Sequence, residues 1–305
     1  MLPELPWLWI PITVWAAFAQ TLRNAAQRHL TKSLGTLGAT LVRFLYGLPF
    51  AALWLTLLIA DSLIIPTATA PFVLWVIEGA LTQIVATALL LRVMEERNFA
   101  LGVAYSKTEI IQVALFGFAF LGDPVTITTA SAVLCGTAGV LLLAPADRTH
   151  PFRAFLRGWT SKSALIGLGS GACFALSATG YRAAALALDA SSFVMAAGYT
   201  LVWAQALQTV LLGGWLLLRD PKTIVRVLQA WRTSLFAGFM GAAASAGWFT
   251  AMAIEPVAHV RTLGLIELLF SYVVSRRVFR ERLQPLEIAG IVVLTAALFI
   301  VTWRP

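Results

Sequence analysis

Apolar residues run along this chain in long blocks, and polar positions gather between the blocks rather than alternating with them. A helix that crosses a bilayer needs about 20 mostly apolar residues. Ten blocks approach or exceed that length, at roughly 7–27, 35–59, 71–92, 100–121, 125–144, 163–187, 192–218, 233–253, 257–275 and 285–302. Short polar breaks carrying proline, as at Asp61–Pro66, Asp123–Pro124 and Glu255–Pro256, mark helix ends. The pattern predicts an all-α integral membrane protein of ten transmembrane helices. The longest connection, 147–162, separates residues 1–146 from 163–305, with five expected spans in each.

Charge then predicts orientation. Basic residues concentrate after the odd-numbered spans, from Arg23, Arg28 and Lys32 after the first to Arg276, Arg277, Arg280 and Arg282 after the ninth. Positive-inside logic places those loops in the cytoplasm and both termini on the outer face, in a bacterial-type inner (plasma) membrane. No Lys or Arg precedes the first apolar block, so it reads as a retained helix rather than a cleaved signal. Trp7, Trp9, Trp54, Trp75, Trp215, Trp231 and Trp303 fall near expected helix ends, as an interfacial belt would.

Composition narrows the function classes. The chain of 305 residues is 59% hydrophobic and only 12% charged, about half the charge of a soluble domain. Its net charge of +8 would suggest nucleic acid in a soluble protein. Here the basic residues sit in loops and serve topology, so no nucleic-acid partner is expected. Cys135 and Cys173 lie inside apolar blocks, at no metal or disulfide spacing. There is no P-loop, HExxH or GxSxG. Neither an enzyme nor a cofactor is expected.

The halves repeat. A shift of 158 residues brings Thr21, Ala25, Ala26 and Leu30 onto Thr179, Ala183, Ala184 and Leu188. It also brings Ala100 onto Ala258, Glu109 onto Glu267 and Asp123 onto Glu281. Five helices per half is an odd number, so the second half enters the membrane in the opposite sense. That is an inverted-topology repeat, with a site expected near the midplane where the halves meet.

Each half also ends in a related stretch: LFGFAFLGDPVTITTASAVLCGTAGVLLL (115–143) and LFSYVVSRRVFRERLQPLEIAGIVVLTAALFI (269–300). With Gly122-Asp123 and Arg280-Glu281 at their turns, they resemble the EamA-type transporters of the drug/metabolite transporter superfamily. The resemblance implies two five-helix repeats around a central cavity, no nucleotide-binding domain, and transport of a small solute. Members of that family export amino acids and other metabolites or import vitamins and sugars.

Ionisable groups inside the spans are the candidate chemistry, because each costs roughly 2.5–3.5 kcal/mol at the bilayer centre. Glu109 and Glu267, expected near the middles of their helices, are candidates for a substrate-cation or proton-coupling site; a structural ion pair is the alternative. Tyr105 and Gln112 share a helix face with Glu109, and His259 shares one with Glu267. Lys107 projects from another face, where it either pairs with Glu78 or leaves Glu78 alone in a watery vestibule. Arg43, with Tyr46 on its face, either holds a substrate carboxylate or snorkels to the headgroups. Arg182, His259 and Arg261 lie near outer helix ends and suit an outer vestibule. Tyr199, Trp203 and Trp248 either pack in the interior or line a cavity for a flat or cationic substrate.

The expectation is a secondary active transporter, most simply an exporter of an amino acid or similar polar or zwitterionic metabolite, working by alternating access. Its partners are a small-molecule solute, the lipid bilayer and protons as the candidate coupling ion; it is a monomer or weak homodimer. Uptake of an aromatic vitamin-like compound is an alternative within the class. An intramembrane enzyme acting on a lipid-linked substrate is an alternative outside it.

Overall fold

In the computed structural model, residues 7–62, 65–96, 106–107, 109–142 and 162–278 are described, with Ala289, Gly290, Val292, Val293, Ala296 and Ile300 beyond them. Tyr105, Glu281, most of the 147–162 connection and most of the last expected span lie outside the described residues. The helices are α1 Trp9–Leu45, α2 Leu48–Ser62, α3 Ala70–Glu96, α4 Glu109–Phe116 with a wider turn Gly117–Leu121, α5 Ile127–Leu142, α6 Lys162–Leu186, α7 Phe193–Arg219, α8 Pro221–Gln229, α9 Trp231–Ile254, α10 Val257–Leu263 and α11 Ile266–Arg277. No strand occurs among the described residues.

Among the described residues, five stretches are long and apolar enough to cross a membrane by length and composition: Trp9–Asp61, Ala70–Glu96, Phe193–Arg219, Trp231–Ile254 and Val257–Arg277. Burial runs opposite to a soluble protein. Leu74, Leu81 and Val85 on α3, and Val210, Leu217 and Leu218 on α7, are exposed, while Arg23, Asn24, Arg43 and Glu267 are buried. Large apolar side chains outside and charges inside are the makeup of a membrane-embedded protein.

The first stretch is a hairpin rather than one rod. Gly35 has φ 70° and ψ 172°, a conformation open to glycine and strained for other residues. The side-chain amide of Gln27 donates to the Ala39 carbonyl at 2.7 Å; in one continuous helix those residues would stand about 18 Å apart. Both arms lie on α9, where Ala16 meets Gly247 and Tyr46 meets Gly238. A Cβ at Gly35 would touch nothing within 4 Å, so Gly35→Ala adds backbone strain alone. It is expected to cost about 1–3 kcal/mol, read by denaturant titration in detergent; an unchanged midpoint would contradict the reversal at Gly35.

The first arm reaches residue 34 before it reverses. Arg23, expected in a cytoplasmic loop, is therefore mid-helix and fully buried. Trp9, expected at the interface, is buried as well. Hydropathy placed the helix end too early because polar Gln20, Arg23, Asn24 and Gln27 interrupt the apolar run; they face the interior instead.

The α1–α9 and α3–α6 pairs are the most extensive helix packings. In the second, Ser163 donates to Glu96 at 3.0 Å, Ser170 donates to the Ala86 carbonyl at 2.8 Å, and Gly79 lies beneath the Tyr181 ring. Glycine and alanine at these crossings let the backbones approach closely.

Candidate functional site, a buried charge network

The helices break where the acidic residues stand. Gly264 and Leu265 form a turn between α10 and α11, and Lys107 sits in a turn ahead of α4. Glu109 and Glu267 consequently occupy first helical turns, not helix middles, and the continuous stripe expected through His259 and Glu267 is interrupted. The positive end of the helix dipole at such turns favours a carboxylate. A side chain at Gly264 would strike the Trp248 ring, with Cη2 2.6 Å from the added carbon, so glycine lets the indole lie against the break. Continuous apolarity hides these breaks in the sequence.

Glu267 has no solvent exposure and is the best-satisfied group of the network. Its carboxylate accepts from Gln20 Nε2 at 2.7 Å and Asn24 Nδ2 at 2.9 Å, and it lies 2.5 Å from Lys107 Nζ. The same ammonium is 3.8 Å from Glu109. Arg261 donates to Glu109 at 3.4 Å, leaving Glu109 Oε2 without a hydrogen-bond partner among the described residues. The Arg261 guanidinium lies 4.8 Å from the centre of the Trp248 ring, whose Nε1 donates to Gln20 Oε1 at 2.9 Å.

Two further arginines complete the interior. Arg23 donates to Asn24 Oδ1 at 2.7 Å, which links it to Glu267 through that amide. Arg43 donates to the Thr87 hydroxyl at 3.0 Å and to the Ser245 hydroxyl at 3.4 Å. Only 2% of its surface is exposed, so it does not snorkel. Hydroxyls can donate or accept, so Arg43 meets neutral acceptors and no carboxylate there.

The expected site residues thus divide. Glu109, Glu267, Lys107 and Trp248 come together, and Arg43 lies within electrostatic reach of Glu267. Lys107 does not pair with Glu78: it serves the two other glutamates because it precedes the helix instead of sitting on its opposite face. Glu78 packs against Gly180 and takes a long contact from Thr82 at 3.5 Å. The Tyr46 hydroxyl donates to the Val227 carbonyl of α8 at 3.1 Å. His259 Nδ1 lies 2.6 Å from Glu255. Tyr199 and Trp203 pack on Phe72, with ring centres 5.5 and 5.8 Å away, away from the charges. Gln112 lies on α4 with its amide oxygen buried and unpartnered among the described residues.

Gln20, Asn24, Thr87 and Ser245 are the residues that sequence reasoning missed, and Arg23 was read only as a loop charge. Arg261 is buried inside rather than lining a vestibule. The available signal was a polar stripe, Gln20, Arg23, Asn24 and Gln27, at helical spacing on the first span. A second buried network joins Gln208 to Gln83 at 2.7 Å and to the Tyr181 hydroxyl at 2.9 Å.

Several contacts respect the 158-residue shift. Lys107 spans Glu109 and Glu267, which are so related; Arg43 spans Thr87 and Ser245, which are also so related. Cys135 Sγ lies 3.6 Å from the carbonyl of Val293, its own counterpart. A cavity of about 500 Å³ lies elsewhere, between α1, α2, α7 and α9, lined by apolar groups such as Trp15, Phe50, Trp54 and Phe239. It carries no ionisable side chain. Its position on exposed apolar faces makes it a lateral crevice and not the charged site.

No family model and no curated protein matches the chain. Among solved structures, one described only as the crystal structure of a protein superposes with a TM-score of 0.62 at 14% sequence identity, over 95% of this chain and 98% of that chain. At that identity the likeness concerns the fold alone.

Proposed function

We propose that the chain is a secondary transporter of the drug/metabolite type, built as ten membrane spans in two inverted five-helix repeats. Residues 1–146 and 163–305 form the halves, and both termini face outward from an inner membrane. It moves a small polar metabolite, an amino acid or related compound in the direction of export, by alternating access, with protons as the coupling ion. The observation that carries this reading is the interior network in which single cations, Lys107 and Arg43, each bridge positions 158 residues apart.

A residue can bridge two repeat-related groups only close to the axis that relates them. Cys135 touching its own counterpart fits the same axis. The main helix pairings fit too: the shift carries α3 onto α9 and the first arm of α1 onto α6, so it exchanges the two packed pairs. Buried charges at a repeat interface, next to broken helices, are the arrangement that secondary transporters use for a substrate and its coupling ion. With Arg23 inside a helix, the basic excess after the odd-numbered spans still favours the stated orientation.

Counterflow into proteoliposomes tests it. Vesicles holding the purified protein and a concentrated unlabelled metabolite pool should accumulate the matching labelled solute, and protein-free vesicles should not. A folded protein that exchanges no solute from pools of amino acids, organic acids, sugars and vitamins would sink the transporter reading.

A further inference from the structure

The buried network does not balance. Arg23, Arg43, Lys107 and Arg261 are all buried, with only Glu109 and Glu267 as carboxylates within the network. Lys107 and Arg261 account for the two glutamates. Arg23 and Arg43 are then left with no carboxylate in direct ion-pair contact among the described residues, and Glu267 reaches them only at longer range; their bonds go to an amide oxygen and two hydroxyls. Each also retains a buried donor with no partner among the described residues, Arg23 Nη1 and Arg43 Nε.

These two arginines are neighbours. A carbon placed on Gly241 would lie 3.2 Å from Arg43 Cγ and 3.3 Å from Arg23 Cδ, so both stems flank one glycine of α9. Like charges side by side in a buried interior repel, and each loses hydration without gaining a directly paired counter-ion. Such an arrangement persists where a ligand supplies the missing charge. Guanidinium donors match carboxylate and phosphate oxygens, which accept in pairs. An ammonium group on a solute would meet the wrong sign at this end.

We infer that the transported solute is a small organic anion whose carboxylate or phosphate oxygens are held by Arg23 and Arg43, beside Gly241. This rests on the transporter reading for its role but makes a binding claim of its own. Glu267 and Lys107 then form the partnered side of the site, and the arginine pair forms its anion-seeking side. A neutral or zwitterionic solute would leave the excess positive charge in place; an acidic amino acid, a dicarboxylate or a phosphate monoester would reduce it.

Thermal unfolding of the detergent-purified protein tests the inference at constant ionic strength, with succinate, aspartate, glycerol phosphate, alanine, choline and chloride as probes. At least one of the three organic anions is expected to raise the midpoint saturably, since a ligand of the folded state stabilises it; alanine, choline and chloride are not. Which one acts separates carboxylate from phosphate recognition. Arg43→Gln and Arg23→Gln are each expected to weaken that binding about 30-fold or more. Their ligand-free midpoints should equal or exceed that of the parent, because an unbalanced buried cation has gone. Stabilisation by choline or alanine alone, an equal effect of chloride, no effect of any organic anion, or undiminished binding in both variants would overturn the inference. Should either variant fold poorly, Gly241→Ala supplies the second test: crowding both stems, it is expected to weaken anion binding while keeping every charged group. Anion binding without counterflow would sink transport and leave this site standing; counterflow of a cation without anion binding would do the reverse.

Discussion

Replacing Lys107 by methionine is expected to destabilise the folded protein by about 3–5 kcal/mol, the cost of stranding one side of a buried ion pair. The ammonium lies 2.5 Å from Glu267 and 3.8 Å from Glu109, and all three side chains are almost wholly buried. Methionine fills a similar volume, so the loss comes from charge rather than from a void. It leaves Glu267 with two neutral amide donors and Glu109 with a single guanidinium contact. The double variant Lys107→Met with Glu267→Gln removes one charge of each sign and should recover most of the loss. A double-mutant cycle, read by denaturant titration in detergent, measures that coupling directly. Additive effects of the two substitutions would show that the pair is not formed.

The second large effect falls on the proposed transport. Glu267→Gln is expected to lower solute flux by about 30-fold or more, the consequence of losing roughly 2 kcal/mol or more from a buried charged contact. Glu267 accepts from Gln20 and Asn24 and pairs with Lys107. A glutamine there turns an amide donor toward at least one of those donors. It also leaves Lys107 with only the more distant Glu109. The network then loses its tie between the first arm of α1, the Lys107 turn and α11. Glu109→Gln should have the smaller effect, because one Glu109 oxygen is already unpartnered among the described residues and Arg261 retains the Trp248 face. Proteoliposome flux normalised to folded protein ranks the two. Wild-type flux in Glu267→Gln would remove this network from the mechanism; a larger loss in Glu109→Gln would reverse the roles assigned to the two carboxylates.

The site was legible only in part. An acidic residue in an apolar run announces itself, because burying it is costly, and Glu109 and Glu267 were found that way. Arg23 and Asn24 were not, since their polarity looks like a loop when the helix end is read from hydropathy. Lys107 was found, with pairing to Glu78 as one of two open readings; its contacts with Glu109 and Glu267 were not foreseen, because helical spacing puts residues 107 and 109 on different faces and the turn ahead of α4 does not obey helical spacing. Tyr199 and Trp203 look the same in sequence as Trp248, yet two pack on Phe72 while the third holds Arg261 and Gln20.

By itself the sequence determined the all-helical, apolar-surfaced character of this protein and most helix positions, because hydropathy and length are local properties that each segment carries on its own. The 158-residue shift that sets Glu109 on Glu267, on which the proposed repeat rests, is likewise read without coordinates. Tertiary structure alone decided which charges meet. The reversal at Gly35, the breaks before Glu109 and Glu267, and the packing of α1 on α9 bring residues more than 200 positions apart within hydrogen-bonding distance. Coulomb interactions in a buried interior depend on those separations, which no pattern along the chain encodes.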